Sequence, residues 1–139
     1  MKRTILIMGL PGSGKTTLAK QLCAKLQYSG HTVTWYNADD IREKHNDWDF
    51  SYEGRVRQSL RMKEYSEQHD DGYVIIDMIA PLPELRDNIN ADILVWVDTI
   101  KKSIYENTNS IFIEPILYDF KVTSKNAIEW SDIIISTLC

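Results

Sequence analysis

The sequence predicts a three-layer α/β domain built on a mostly parallel, five-stranded sheet, and two observations carry this prediction. First, Gly9 to Thr16 fits the phosphate-binding pattern G-x-x-x-x-G-K-[ST] at every fixed position. Second, short apolar runs alternate with helix-forming segments along the chain, as is typical of parallel sheets. The expected fold class is therefore that of a P-loop NTPase, with one domain over residues 1–139.

The strands are predicted from short apolar runs rich in β-branched residues. Tyr73 to Asp77, directly after Asp71-Gly72, is the clearest buried strand, and Thr4 to Met8 leads into the glycine-rich motif. The predicted strands are Thr4 to Met8, Val33 to Tyr36, Tyr73 to Asp77, Ala91 to Val97 and Phe120 to Val122.

The helices are predicted from apolar spacing and from end signals. Leu18, Leu22 and Leu26 recur at helical spacing after the motif, and Gly30 suits the left-handed position that ends a helix. A polar break is expected at Asn107 to Ser110. The predicted helices are Lys15 to Tyr28, Asp40 to about His45, Glu53 to Gln68, one turn around Glu84 to Asn88, about Ile100 to Glu106, and about Ser124 to Thr137.

The glycine-rich motif predicts a loop that binds a polyphosphate. Its glycines let the backbone turn so that successive N–H groups point inward. Lys15 adds a charge for the β- and γ-phosphoryl oxygens, and the Thr16 hydroxyl is placed to bind Mg²⁺. ATP and Mg²⁺ are therefore the expected cofactors. The predicted ATP-binding residues are Gly9, Leu10, Pro11, Gly12, Ser13, Gly14, Lys15, Thr16 and Thr17.

Composition bounds the partners and the compartment. The chain has 16 basic and 20 acidic residues, a net charge of −4, and no block of like charge. This balance argues against a nucleic-acid or membrane surface and favours small anions as partners. Cys23 and Cys139 show neither a disulfide framework nor a metal-ligand spacing, and the opening apolar run is too short to span a membrane. A cytoplasmic protein is expected, and a homodimer is left open.

Polar residues follow three predicted strands at the edge where parallel sheets bind ligands. Asn37, Asp39 and Asp40 follow the second strand, Asp77 ends the third, and Asp98 follows the fourth. Acidic groups there would face Mg²⁺ and the phosphates. Asp77 ends its strand like a Walker B carboxylate, and its role in binding metal stays open beside a structural one.

Basic and aromatic residues cluster after Asp39. Arg42, Phe50, Arg55, Arg57 and Arg61 combine guanidinium groups with a ring, which would suit a planar, anionic substrate. The alternative is that these arginines form a solvated helix face, because Arg57 and Arg61 are four residues apart.

Four segments resemble motifs of the adenylylsulfate kinases. Tyr36 to Arg42 resembles their D-G-D-N-[VI]-R, and Phe50 to Arg55 resembles their G-F-S-x-x-D-R. Ile79 to Pro81 is similar to I-S-P, and Val97 to Thr99 is similar to V-D-T. The matches cover roughly the first hundred residues in the same order. Several matches in register are far less likely to arise by chance than a single motif.

The resemblance implies a function and a set of site residues. Adenylylsulfate kinases transfer the γ-phosphoryl group of ATP to the ribose 3′-hydroxyl of adenylylsulfate. Lys15 and Asp39 would be catalytic, and Thr16 and Asp39 would bind the metal. Arg42 and Arg55 would hold the adenylylsulfate anion, and Phe50 would stack on its adenine. The implied substrate-binding residues are Asp39, Arg42, Phe50, Arg55, Gln58, Ile79 and Ala80.

The sequence also departs from the family pattern. Asn37 replaces the first acid of its motif, Ala80 replaces a serine, Gln58 replaces an asparagine, and the basic lid sequence is absent around Tyr105 to Ser110. Two alternatives therefore stay open. One is a related kinase with another acceptor, such as a nucleotide or polynucleotide 5′-hydroxyl, and the other is a non-catalytic nucleotide-binding protein.

Overall fold

The computed structural model describes residues 1–138 and alternates strands with helices along the chain. The strands are β1 (Lys2–Met8), β2 (Val33–Asn37), β3 (Gly72–Asp77), β4 (Ile93–Val97) and β5 (Phe120–Val122). The helices are α1 (Lys15–Tyr28), α2 (Ala38–His45), α3 (Tyr52–Glu67), α4 (Pro83–Ile89), α5 (Glu106–Ile111) and α6 (Ala127–Leu138). Cys139 lies outside the described residues.

The five strands form one sheet in the order β2-β3-β1-β4-β5, and every neighbouring pair is parallel. The predicted fold class is confirmed, with the sheet wholly rather than mostly parallel. Within residues 1–138, none of the helices has the length and apolar character needed to cross a membrane.

Helices cover both faces of the sheet, and successive side chains of β1 point to opposite faces. Ile5 and Ile7 pack with residues of α1 and α6, whereas Leu6 and Met8 pack with residues of α2, α3 and α4. Full burial of each such side chain stabilises the fold by about 1.5–3 kcal/mol. The central position of β1 therefore places the loop that follows it at the middle of the sheet edge.

The parallel register aligns the ends of the strands. Asn37, the last residue of β2, lies opposite Asp77, the last residue of β3. Gly9 passes so close to the carbonyl of Val97 that a Cβ atom at this position would overlap it. A glycine is thus required where the phosphate-binding loop leaves β1, beside the end of β4.

The chain after β4 differs from the sequence prediction. The helix predicted from Ile100 to Glu106 is wrong, and the expected break at Asn107 to Ser110 lies inside α5. The reason is a set of side-chain hydrogen bonds: the Asn109 Oδ1 atom accepts from the backbone N–H and the hydroxyl of Ser103, both at 2.8 Å. These bonds tie the irregular segment to α5, so polar residues that resemble a loop become helical.

Candidate active site

A cleft of about 980 Å³ opens at the carboxyl edge of the sheet. It lies between the phosphate-binding loop on one side and α2, α3 and the β3–α4 connection on the other. The predicted site residues that line it are Pro11, Gly12, Gly14, Lys15, Thr16, Thr17, Asp39, Arg42, Phe50, Arg55, Gln58, Ile79 and Ala80. The other three, Gly9, Leu10 and Ser13, are buried and do not line it.

Lys15 and Ser13 have polar groups that suit a polyanion. The Lys15 amino group is buried and donates a hydrogen bond to the carbonyl of Leu10 at 3.0 Å, with no carboxylate of residues 1–138 within ion-pair distance. Burial lowers the pKa of Lys15, and the charges of Asp77 and Asp39 oppose that shift. The buried Ser13 hydroxyl has no hydrogen-bond partner among the described residues. A phosphate chain would satisfy these groups together with the N-terminus of α1.

Thr16, Asp77 and Asn37 meet at the base of the cleft. The Asp77 Oδ2 atom accepts hydrogen bonds from the Thr16 hydroxyl at 3.0 Å and from the Asn37 amide at 2.9 Å. Burial raises the pKa of Asp77, and the Asn37 amide, the Lys15 charge and the Thr16 hydroxyl partly offset this shift. The arrangement places a buried carboxylate next to the hydroxyl predicted to bind metal.

The protein groups at this point suit Mg²⁺ rather than a metal held by protein ligands alone. No group of three or more His, Cys, Asp or Glu residues within 1–138 could hold a metal ion. Mg²⁺ commonly takes one or two carboxylates and keeps waters and substrate phosphates as its other ligands. Asp39 lies in the first turn of α2 and lines the same cleft, exposed to solvent.

The segment from Asn46 to Tyr52, which we call the acceptor loop, folds back over two buried arginines. Arg42 Nη1 donates to the carbonyls of Asp47 and Asp49 at 2.9 and 3.1 Å. Arg55 Nε donates to the Phe50 carbonyl at 2.9 Å. The two guanidinium carbons lie 4.3 and 5.4 Å from the centre of the Phe50 ring. Residues from two helices and one loop therefore converge, as the sequence prediction requires.

The arginines divide into two groups. Arg42 and Arg55 are only 4% and 5% exposed, and neither forms an ion pair within residues 1–138. Burial lowers the pKa of both. Arg57 and Arg61 instead pair with Asp47, and neither of them lines the cleft. The alternative of a solvated helix face thus applies best to Arg57, which is half exposed.

Gln58 and Ala80 line the cleft but also have internal structural contacts. The Gln58 amide donates to the carbonyl of Ala38 at 3.0 Å and accepts from Arg61 at 2.8 Å, which joins α2 to α3. Ala80 is buried with a φ of 46°, and its carbonyl accepts from Arg86 at 2.9 Å. A non-glycine residue in the left-handed region stores strain, a feature that is common at functional sites.

The comparison with protein families identifies the chain. A sequence profile described as adenylylsulphate kinase matches residues 1–109. The chain belongs to the adenylylsulfate kinase family of P-loop kinases. Family membership confirms the resemblance seen in the four motifs.

Solved structures agree with the family fold. The APS kinase of Mycobacterium tuberculosis, in complex with AMPPNP and APS, is 23% identical with a TM-score of 0.83, and the alignment covers 99% of this chain and 97% of that one. APE1195 is 21% identical with a TM-score of 0.85, covering 99% and 94%. The shikimate kinase of Acinetobacter baumannii is 16% identical with a TM-score of 0.68, covering 99% and 93%. At these identities the likeness shows the fold alone.

One curated relative is similar over part of its length. The cytidine diphosphoramidate kinase of Campylobacter jejuni subsp. jejuni is 29% identical over 85 residues. The match covers 60% of this family member and 50% of that protein. The chain therefore spans about half the length of the curated relative that it matches.

Several cleft residues of this adenylylsulfate kinase family member were missing from the predicted site. Lys125, between β5 and α6, donates to the carbonyl of Gly12 at 2.9 Å, and Lys102 and Tyr105 line the cleft from the segment after β4. Asn37 and Asp77, which the sequence placed at this sheet edge with the metal role of Asp77 left open, contact Thr16 directly. The acid at the end of an apolar strand was the one available signal for Asp77, whereas no motif marked Lys125 or Lys102.

Proposed function

We propose that this protein transfers the γ-phosphoryl group of ATP to a hydroxyl group of an anionic nucleotide, with adenylylsulfate as the first candidate acceptor and its 3′-hydroxyl as the reacting group. One observation carries the proposal: Arg42, Phe50 and Arg55 converge in the cleft that also contains Lys15 and Thr16. An anion site and a phosphate-binding loop thus share one cavity.

The donor side fits ATP and Mg²⁺. ATP would supply the phosphoryl group, and Mg²⁺ would offset the charge of its phosphates. The backbone N–H groups of the loop, the Lys15 cation and the Ser13 hydroxyl would hold the phosphate oxygens, since these groups have few partners of their own. Thr16 and Asp77 would hold the metal, with Asp39 close enough in the cleft to orient its waters.

Transfer would proceed by in-line attack of the acceptor hydroxyl oxygen on the γ-phosphorus. The new O–P bond forms as the bond from phosphorus to the β–γ bridging oxygen breaks, and ADP leaves. Asp39 would accept the proton of the attacking hydroxyl, because it is an exposed carboxylate on the cleft wall between the loop and Arg42. Lys15 would stabilise the charge that develops on the transferring group.

The acceptor side supports a planar anion. Within residues 1–138 Arg42 and Arg55 form no ion pair with a carboxylate, so their buried charge favours a bound anion. Phe50 is 45% exposed despite its two guanidinium neighbours, which leaves ring surface for a base to stack on. A nucleotide whose anionic bridge lies on the arginines and whose base covers Phe50 would satisfy both features.

Cytidine diphosphoramidate is the second candidate acceptor, because the Campylobacter relative bears that name. Both candidates combine a base with an anionic bridge. Each end of the Gln58 amide makes one hydrogen bond within the protein, which fixes the side chain against α2 and leaves one N–H and one oxygen lone pair for an acceptor. We place the activity in the cytoplasm, where ATP and Mg²⁺ are abundant.

An acceptor screen tests the proposal. The purified protein is incubated with ATP labelled at the γ-phosphate, Mg²⁺ and one acceptor at a time: adenylylsulfate, cytidine diphosphoramidate, a nucleoside, a nucleoside monophosphate, or an oligonucleotide with a 5′-hydroxyl. Label transfer to one of the first two acceptors is expected. Preference for the oligonucleotide end would contradict the assigned acceptor, and ATP binding without transfer to any of them would favour a non-catalytic role.

A further inference from the structure

Asp47 lies outside the catalytic cleft yet contacts three arginines. Its Oδ2 atom accepts hydrogen bonds from Arg57 Nε and Arg61 Nη2, both at 2.8 Å, and its Oδ1 atom accepts from Arg57 Nη2 at 3.0 Å. Its backbone carbonyl accepts from Arg42 at 2.9 Å. Asp47 does not line the cleft, and its side chain is only 13% exposed. It therefore connects a cleft arginine to two arginines outside.

The same carboxylate organises the acceptor loop. Asp47 Oδ1 also accepts the backbone N–H of Asp49 at 3.3 Å, and Asp49 in turn accepts from Arg57 at 3.1 Å and from the N–H of Ser51 at 2.9 Å. These bonds run through the residues that immediately precede and follow Phe50. The network that begins at Asp47 therefore holds the backbone on both sides of Phe50.

Close packing against α3 completes the arrangement. A Cβ atom at Gly54 would overlap the backbone carbonyl and the side chain of Asp49. Glycine at this position lets the acceptor loop lie directly on the first turn of α3, beside Arg55. The ion pairs and the glycine together hold the loop from its outer side.

Charge pairing explains why two arginines stay available in the cleft. Asp47 and Asp49 are paired with Arg57 and Arg61, and these hydrogen bonds hold the pKa of Asp47 well below its usual range. Arg42 and Arg55 contact only backbone carbonyls, a hydroxyl and the Phe50 ring among residues 1–138. Within residues 1–138 the loop carboxylates thus pair with Arg57 and Arg61 and not with the two cleft arginines.

We propose that Asp47 is a positioning residue for the acceptor: through Arg57 and Arg61 it holds the acceptor loop in the conformation that brings Phe50, Arg42 and Arg55 together. This inference rests on the proposed function, since it concerns the acceptor half of that site. Asp47 does not line the cleft that would hold both substrates. Its removal should weaken acceptor binding and leave the ATP side unchanged.

The test compares Asp47→Asn with Asp132→Asn. Asp132 serves as an ion-pair control: it pairs with Lys25 at 2.6 Å, is more exposed than Asp47, and lies on α6 outside the lining of the cleft. Two properties are measured. Steady-state kinetics give kcat and the KM values for the acceptor and for ATP, and amide hydrogen exchange of residues 46–52 is followed in the substrate-free protein. Asp47→Asn should raise the acceptor KM about ten-fold, as for loss of a charge-assisted contact, and should accelerate exchange in the loop. The ATP KM and kcat should stay within about two-fold.

A second variant keeps the test decisive if Asp47→Asn folds poorly. Arg57→Gln changes an exposed side chain and should shift both readouts in the same direction by a smaller factor. The double variant should raise the acceptor KM by less than the product of the two single effects, because both changes break the Asp47–Arg57 contact.

Three results would overturn the inference: unchanged loop exchange, faster exchange with an unchanged acceptor KM, or an equal loss in the acceptor KM, the ATP KM and kcat. The first would show that Asp47 does not hold the loop, and the second that the loop does not serve the acceptor. Failure of the wild type to phosphorylate any acceptor would instead count against the proposed function, and hydrogen exchange would still decide whether Asp47 holds the loop.

Discussion

The amide of Asn37 donates a hydrogen bond of 2.9 Å to the carboxylate of Asp77, across the ends of two neighbouring strands. In the motif that this chain resembles, an acid stands at the position of Asn37. Here the acid stands one strand away, still in contact with Thr16. An amide at residue 37 suits this arrangement, because its NH2 group donates to Asp77, which a second carboxylate could not do, while its oxygen caps α2 by accepting from Asp40 N–H at 3.1 Å.

We predict that Asp77→Asn lowers turnover at least about 100-fold, because it removes the buried charge that would face the metal and phosphates. The same change should raise the unfolding free energy of the nucleotide-free protein by about 1 kcal/mol, since a buried carboxylate costs desolvation energy. Steady-state kinetics and urea unfolding measure the two effects.

Moving the charge back provides the control for this prediction. Asn37→Asp combined with Asp77→Asn places the carboxylate on β2 instead of β3, and it should recover part of the lost turnover. A fully active Asp77→Asn variant would show that Asp77 has a structural role only.

Lys15→Ala should lower turnover by several orders of magnitude, about the scale seen when transition-state charge stabilisation is lost. The reason is that Lys15 is the cation that the phosphate-binding loop itself offers to the transferring group. Single-turnover measurements at saturating ATP separate this effect from weaker binding. Near-normal turnover would place the active site elsewhere.

Asp39→Asn should abolish phosphoryl transfer while ATP affinity changes by less than about three-fold, because the change removes a proton acceptor without altering the loop. Equilibrium binding of ATP and transfer assays on the same preparation measure the two properties. A parallel loss of both would indicate that Asp39 supports the fold of α2.

The sequence could predict the parts of the site that depend on local patterns. The phosphate-binding loop, the start of α1 and the polar ends of β2 and β3 follow from a contiguous motif and from the fact that parallel strands end at one edge. Together with the residues implied by the family resemblance, these patterns account for the thirteen of sixteen predicted site residues that line one cleft.

The remaining features depend on contacts between distant segments. No signal in the sequence distinguishes Arg42 and Arg55 from Arg57 and Arg61. Only in the folded loop does Asp47 pair with Arg57 and Arg61. The position of α5 was missed because the Asn109 side chain bonds to Ser103, an interaction that no periodicity reports.

The most direct test of the account is the KM for adenylylsulfate in Arg55→Ala, with Lys20→Ala as the control. Lys20 is an exposed cation on α1 that does not line the cleft. If Arg55 holds the acceptor anion, its removal raises the adenylylsulfate KM roughly ten- to a hundred-fold, with little change in the ATP KM, and Lys20→Ala leaves both unchanged. Phosphorylation of adenylylsulfate by Arg55→Ala with the wild-type KM would contradict the assigned acceptor site.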